Sequence, residues 1–305
     1  MAFFKKSRSQ NYDLYSTHAY YVPGVGGMFG LFGLMLAGSL IGSLLIAPFQ
    51  LLGSLNKDWM MMISYPIMFI PPMMYASYKG RRNMLFETGY RLDNSHYAPM
   101  GGWKLALAAI LGTLGCAFVL DGLVSLMPPM PEWLESLLSG LTQGDFWTNL
   151  ICVSIMAPIF EEWLCRGMVL RGLLNGRTAD GRPLMAPVWA IVISALFFAL
   201  IHMNPWQAIP AFGLGMLMGY VYYKTGSLKL TMLMHFTNNT FALILGQIDS
   251  IPEDASFLDV MGSVGIYVLV LVVALIAVGA AVWVFKNVAQ AGPQGSCDAV
   301  EAEEE

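Results

Sequence analysis

An all-α polytopic membrane protein, with eight transmembrane helices and both termini on the cytoplasmic side, is the fold this sequence predicts. Three observations predict it. Of the 305 residues, 56% are hydrophobic and only 12% charged, against about 25% charged in soluble domains. Eight apolar stretches approach the roughly 20 residues needed to cross a bilayer. With both termini inside, Lys57 is the single basic residue, out of 16, left on the outer face, which is the asymmetry of the positive-inside rule. Glu132, Asp145 and Asp254 then fall in outer loops. The net charge of −4 carries little meaning beside this uneven placement, and no basic patch points to nucleic acid.

Residues 1–26 hold Lys5, Lys6, Arg8 and several tyrosines, a composition suited to a cytoplasmic juxtamembrane arm that seeks the interface. No cleavable signal peptide is expected, because the first apolar run is too long for an h-region. Residues 27–144 take three transmembrane helices, near 28–52, 59–78 and 103–127. The second contains Pro66, Pro71 and Pro72 and is expected to be kinked or broken. The outer segment from Met127 to Asp145 has room for a short interfacial helix after its prolines. Residues 145–247 take four more, near 146–174, 186–203, 207–223 and 228–247, with a turn-rich loop at 175–185. The fifth and sixth are short and joined only by Asn204-Pro205-Trp206. Residues 248–286 hold the last transmembrane helix, near 261–285. Residues 287–305 end in Glu-Ala-Glu-Glu-Glu and read as a disordered acidic tail. Cys116, Cys152 and Cys165 fall in apolar stretches and read as packing residues rather than a disulfide framework.

The chain is organised around Ser154-Ile-Met-Ala-Pro-Ile-Phe-Glu-Glu-Trp-Leu-Cys-Arg166. A charge at that depth costs about 2.5–3.5 kcal/mol on insertion scales, so three within six residues require a partner or a wet cavity. On a helix Glu162 and Arg166 share a face and can pair. Glu161 is turned roughly 100° away and stays free for chemistry. A helix-tying ion pair alone leaves that second carboxylate unexplained. Further along, Phe198 and His202 are four apart, as are His235 and Asn239, so each pair shares a face. A single histidine in a span is ordinarily a core residue bonded to a carbonyl. Two histidines, an asparagine, two glutamates and an arginine in three spans each need a partner in hydrocarbon, and bringing them together supplies one.

Glu161-Glu162-x-x-x-Arg166, Phe198-x-x-x-His202 and His235-x-x-x-Asn239, in this order in separate spans, resemble the CPBP family of intramembrane proteases (CAAX protease and bacteriocin-processing, or Abi). Type II CAAX prenyl endopeptidases belong to it. The resemblance covers about residues 145–247 and makes them the catalytic core. It implies that Glu161, with His202, activates the attacking water. It also implies that His235 and Asn239 stabilise the oxyanion, and that Glu162 and Arg166 form a structural pair, with Phe198 in support. The chemistry agrees with the residues. Amide hydrolysis needs a base for the water and donors aimed at the developing oxyanion, each typically worth about 10²–10³ in kcat.

Glu161, His202 and His235 also make a two-histidine, one-carboxylate set compatible with zinc, although no His-Glu-x-x-His helix accompanies it. Family members have been classed as metalloendopeptidases and as metal-independent glutamate proteases. The metal-free reading is preferred here, with no cofactor. Cys165, four residues after Glu161, sits beside a carboxylate that disfavours a thiolate nucleophile. Two other functions stay open: a non-enzymatic peptide-binding immunity or scaffold protein of the same fold, and a proton-coupled transporter. No internal repeat supports the transporter. The expected partners are the lipid bilayer and a peptide or protein substrate, with or without a lipid modification. The absence of an ER-retention tail points to a bacterial inner membrane. In straight crossings His202 would lie too far toward the outer surface to meet Glu161, so the 204–206 turn is expected to be buried within the protein, where irregular backbone is tolerated.

Overall fold

The computed structural model describes residues 21–53, 56–80, 102–134, 145–176, 178, 182–248 and 257–288. The expected arm, apart from residues 21–26, lies outside the described residues, as do most of the expected interfacial helix and all but the first two residues of the acidic tail. Helices dominate what is described: α1 (Val25–Leu51), α2 (Lys57–Gly80), α3 (Gly102–Val124), α4 (Phe146–Asn175), α5 (Pro187–Ile201), α6 (Pro205–Thr225), α7 (Leu228–Leu245), α8 (Phe257–Met261) and α9 (Val264–Lys286). Each predicted apolar stretch coincides with one long helix. Of these, α1, α3, α4 and α9 are long and apolar enough to cross a membrane, and the protein is an integral membrane protein. The one-turn helix α8 carries no apolar run that would announce it.

Prolines and glycines shape this bundle more than propensity does. The expectation that the second stretch is kinked or broken is corrected as to a break: α2 runs unbroken through Pro66, Pro71 and Pro72. Packing on α1 holds it. Without a hydrophobic drive between helices in lipid, small residues that admit close backbone approach do this work. Gly38 of α1 has no room for a side chain, since a Cβ there would fall on the Met68 carbonyl, and Gly42 faces Ser64 and Ile67 one turn away. In the same manner Gly112 and Gly115 of α3 lie against Ala281 and Ala274 of α9. Helix α5 packs on α6 and on α4, and α7 packs on α3 and α4.

Helix α4 departs from a plain α-helix. Residues Leu150–Met156 and Trp163–Leu170 are π-helical, separated by the α-helical turn Ala157–Glu162. Such i→i+5 segments are rare and recur at functional sites. The short helical turn Ala157–Glu162 carries both glutamates. At its far end, Arg171 is tied through Nη2 to the carbonyl of Tyr21 at 2.5 Å, and Gly172 lies against Pro23, which pins the entry to α1 beneath α4.

The α5–α6 connection turns sharply. His202 closes α5, Met203 takes a left-handed φ of 49°, and Asn204 caps α6 by accepting from the Trp206 N–H at 3.0 Å. A non-glycine residue in that region costs of order 1 kcal/mol. Trp206 Nε1 ties the turn to the Pro128 carbonyl at 2.9 Å, and Asn204 is buried. Met203, however, is 69% exposed and Pro205 is exposed. The expectation of a turn enclosed by protein is therefore corrected: it is anchored at Asn204 and Trp206, and open at the residues between and beside them.

Candidate active site

Glu162 and Arg166 meet as their spacing on α4 requires. Arg166 Nη1 lies 2.6 Å from Glu162 Oε1, and both side chains are fully buried. A lone charge in that position would be uncompensated, so the guanidinium is satisfied from several sides. Its Nη2 donates to the Gly215 carbonyl of α6 at 3.1 Å, and it stands over the Phe198 ring of α5 at 4.5 Å. Gly215 is part of this design. A Cβ there would stand 3.4 Å from Arg166 Nη2 and 3.2 Å from Ala195, crowding the arginine and α5 together.

Glu161, on the adjacent face, has a different environment. Its side chain is 15% exposed. Oε1 accepts from Tyr65 Oη at 2.5 Å. Oε2 has no hydrogen-bond partner and lies 3.9 Å from His235 Nε2. The other nitrogen of that ring, Nδ1, sits 3.2 Å from Glu162 Oε1. A carboxylate held by Arg166 can only accept, so Nδ1 carries the proton and Nε2 is the atom turned toward Glu161. His235 thus bridges the two carboxylates.

Phe198 gathers the rest. The rings of His202 and His235 both stand perpendicular to it, at centroid distances of 4.9 and 5.3 Å. His202 Nδ1 lies 2.7 Å from the Phe198 carbonyl, which again fixes the proton on Nδ1 and leaves Nε2 as the open nitrogen. Asn239, one turn beyond His235, donates from Nδ2 to the Val153 carbonyl at 2.8 Å. Pro158 explains why that carbonyl is available. In the π-helical register the partner of Val153 is residue 158, a proline with no N–H to give. Asn238 Nδ2 lies 3.2 Å from Asn239 Oδ1, which keeps the Asn239 amide turned nitrogen-first and its second N–H uncommitted.

All seven residues singled out in the sequence, Glu161, Glu162, Arg166, Phe198, His202, His235 and Asn239, therefore lie in one connected neighbourhood built from α4, α5 and α7. Among the described residues, no group of three or more His, Cys, Asp or Glu side chains is arranged to hold a metal ion; Nδ1 of His202 and of His235 is committed to a carbonyl and to Glu162, and Nε2 of each ring is left open. Sequence reasoning missed Tyr65 and Gly215. Tyr65 sits in a stretch read only for its prolines, and a lone tyrosine in a span gives no signal at helical spacing.

Residues 143–241 match the family described as type II CAAX prenyl endopeptidase Rce1-like. Over 93 residues the chain is 33% identical to the membrane-embedded CAAX protease MroQ of Staphylococcus aureus (strain USA300), an alignment covering 30% of this chain and 36% of that protein. Over this segment, the chain is similar to the CAAX protease (CPBP) family. The CAAX-protease segment contains every motif residue named above, whereas Tyr65 lies outside it. The chain spans about a third of the length of the relative it matches, and no solved structure matches it.

Proposed function

We propose that this chain is an intramembrane endopeptidase of the glutamate type, hydrolysing a peptide bond with a water activated at Glu161. The observation that carries the reading is the division of labour between adjacent carboxylates: Glu162 is fully buried on Arg166, while Glu161 keeps Oε2 unpartnered, 3.9 Å from His235 Nε2. That separation admits one water within hydrogen-bond distance of both atoms. Its oxygen attacks the scissile carbonyl carbon and its proton passes to Glu161 Oε2, with His202 Nε2 helping to align it. The carbonyl π pair moves to oxygen, where the uncommitted N–H of Asn239 Nδ2 donates to it, with His235 lining the same side of the site. Collapse of the tetrahedral intermediate breaks the C–N bond, and the proton held by Glu161 goes to the departing nitrogen.

In this reading the helices make eight crossings with both termini cytoplasmic, and the membrane is the bacterial inner (plasma) membrane. The substrate is a peptide reaching the site from the inner side or laterally from lipid. The relative's name and the family description suggest a CAAX-type sequence. The test uses the full chain, purified in detergent, with internally quenched peptides ending in Cys-aliphatic-aliphatic-X, with and without a prenyl group. Cleavage by the parent and its loss by at least about 10³-fold in Glu161→Gln support the proposal. Full activity of Glu161→Gln refutes it. Inactivation by chelators that zinc reverses would replace it with a metalloprotease.

A further inference from the structure

Tyr65 belongs to α2, outside the segment shared with known proteases, yet it makes the closest contact to the candidate base. The bond from Tyr65 Oη to Glu161 Oε1 is 2.5 Å, in the short range of charge-assisted hydrogen bonds. Its setting is rigid. One turn along α2, Phe69 tilts against the Tyr65 ring at 5.7 Å and stacks on Phe160, the residue before Glu161, at 5.2 Å. Phe69 is fully buried. The backbone that carries Tyr65 is fixed from behind, where Gly42 of α1 faces the Ser64 carbonyl and Gly38 admits Met68.

The consequence concerns which oxygen reacts. The terminal torsion of a glutamate is broad, so an untethered carboxylate exchanges its two oxygens and swings its plane. The phenol selects Oε1 and thereby presents Oε2, the oxygen with no hydrogen-bond partner, to His235 Nε2. We infer that Tyr65 is a positioning residue of the hydrolytic site, acting through Glu161 by holding Oε1 so that Oε2 takes the proton from water. The inference rests on the reading of Glu161 as the base. It also gives the N-terminal helices a role in catalysis, since α1 and α2 deliver this hydroxyl.

Four proteins test it: the parent, Tyr65→Phe, Glu161→Asp and the double variant. Losing a bond to a charged group and the alignment it gives lowers kcat about 10- to 100-fold in Tyr65→Phe, with KM within about twofold. In the Glu161→Asp background, where the shorter carboxylate withdraws from the phenol, Tyr65→Phe causes no further loss. An equal loss in both backgrounds, or a fall confined to KM, overturns the inference. Tyr65→Met, an independent replacement without a donor, gives the same kcat as Tyr65→Phe; parental kcat in either folded variant also overturns it. Full activity of Glu161→Gln sinks the base assignment itself, whereas an inactive Glu161→Gln beside an unimpaired Tyr65→Phe sinks only this inference. Melting temperatures of a Tyr65→Phe, Glu161→Gln cycle read the bond without any substrate. Non-additivity of at least about 2 °C is expected, and additive shifts overturn the contact on which the inference stands.

Discussion

Replacing Arg166 by leucine isolates Glu162, a fully buried carboxylate. Glu162 would keep the His235 Nδ1 contact at 3.2 Å and the Thr231 hydroxyl in a site without solvent exposure. The guanidinium's bond to the Gly215 carbonyl and its stacking on Phe198 would also go. Removing one partner of a buried pair costs about 3–5 kcal/mol, because the remaining charge has no compensation. At about 2–4 °C per kcal/mol for a domain of some 200 residues, that corresponds to a melting temperature lower by roughly 6–20 °C. The assay is thermal unfolding of detergent-solubilised protein followed by circular dichroism, beside peptide cleavage. Neutralising both partners, as Glu162→Gln with Arg166→Leu, removes the uncompensated charge and recovers more than half of the lost melting temperature. Activity does not return, since His235 loses the carboxylate that orients it. An Arg166→Leu protein melting within about 2 °C of the parent, or a double variant no more stable than the worse single, would refute this account of the pair.

Three further outcomes are expected. Asn239→Ala lowers kcat about 10²–10³-fold with little change in KM, as steady-state kinetics on the cleaved peptide will show; a change in KM alone contradicts a donor to the oxyanion. Gly38→Val drives a side chain into the Met68 carbonyl and costs about 1–3 kcal/mol. It therefore lowers melting temperature and, through Tyr65, kcat. Gly33→Val, where a Cβ meets nothing within 4 Å, leaves both unchanged. Cys165→Ala keeps at least half the parental activity and maleimide treatment does not inhibit, because the thiol is fully buried and the mechanism has no use for it; loss of activity with fold retained would reopen a cysteine nucleophile.

The amino-acid sequence by itself determined where the helices lie and which charges on α4 pair. Both are local properties: apolar run length sets helix extent, and a spacing of four sets the Glu162–Arg166 contact whatever surrounds it. It also marked His202, His235 and Asn239, because polar groups in hydrocarbon are conspicuous and must find one another, and Phe198 through the motif it shares with His202. Only the tertiary structure decided which atom faces which. His235 turns Nδ1 to Glu162 and Nε2 to Glu161. Asn239 finds the Val153 carbonyl that Pro158 leaves unpaired, and Phe198 stands between the histidines and Arg166. Tyr65 reaches Glu161 across 96 residues of chain. No periodicity encodes that contact, since it depends on how closely two glycines let α1 and α2 approach and on the π-helical register that sets the facing of α4.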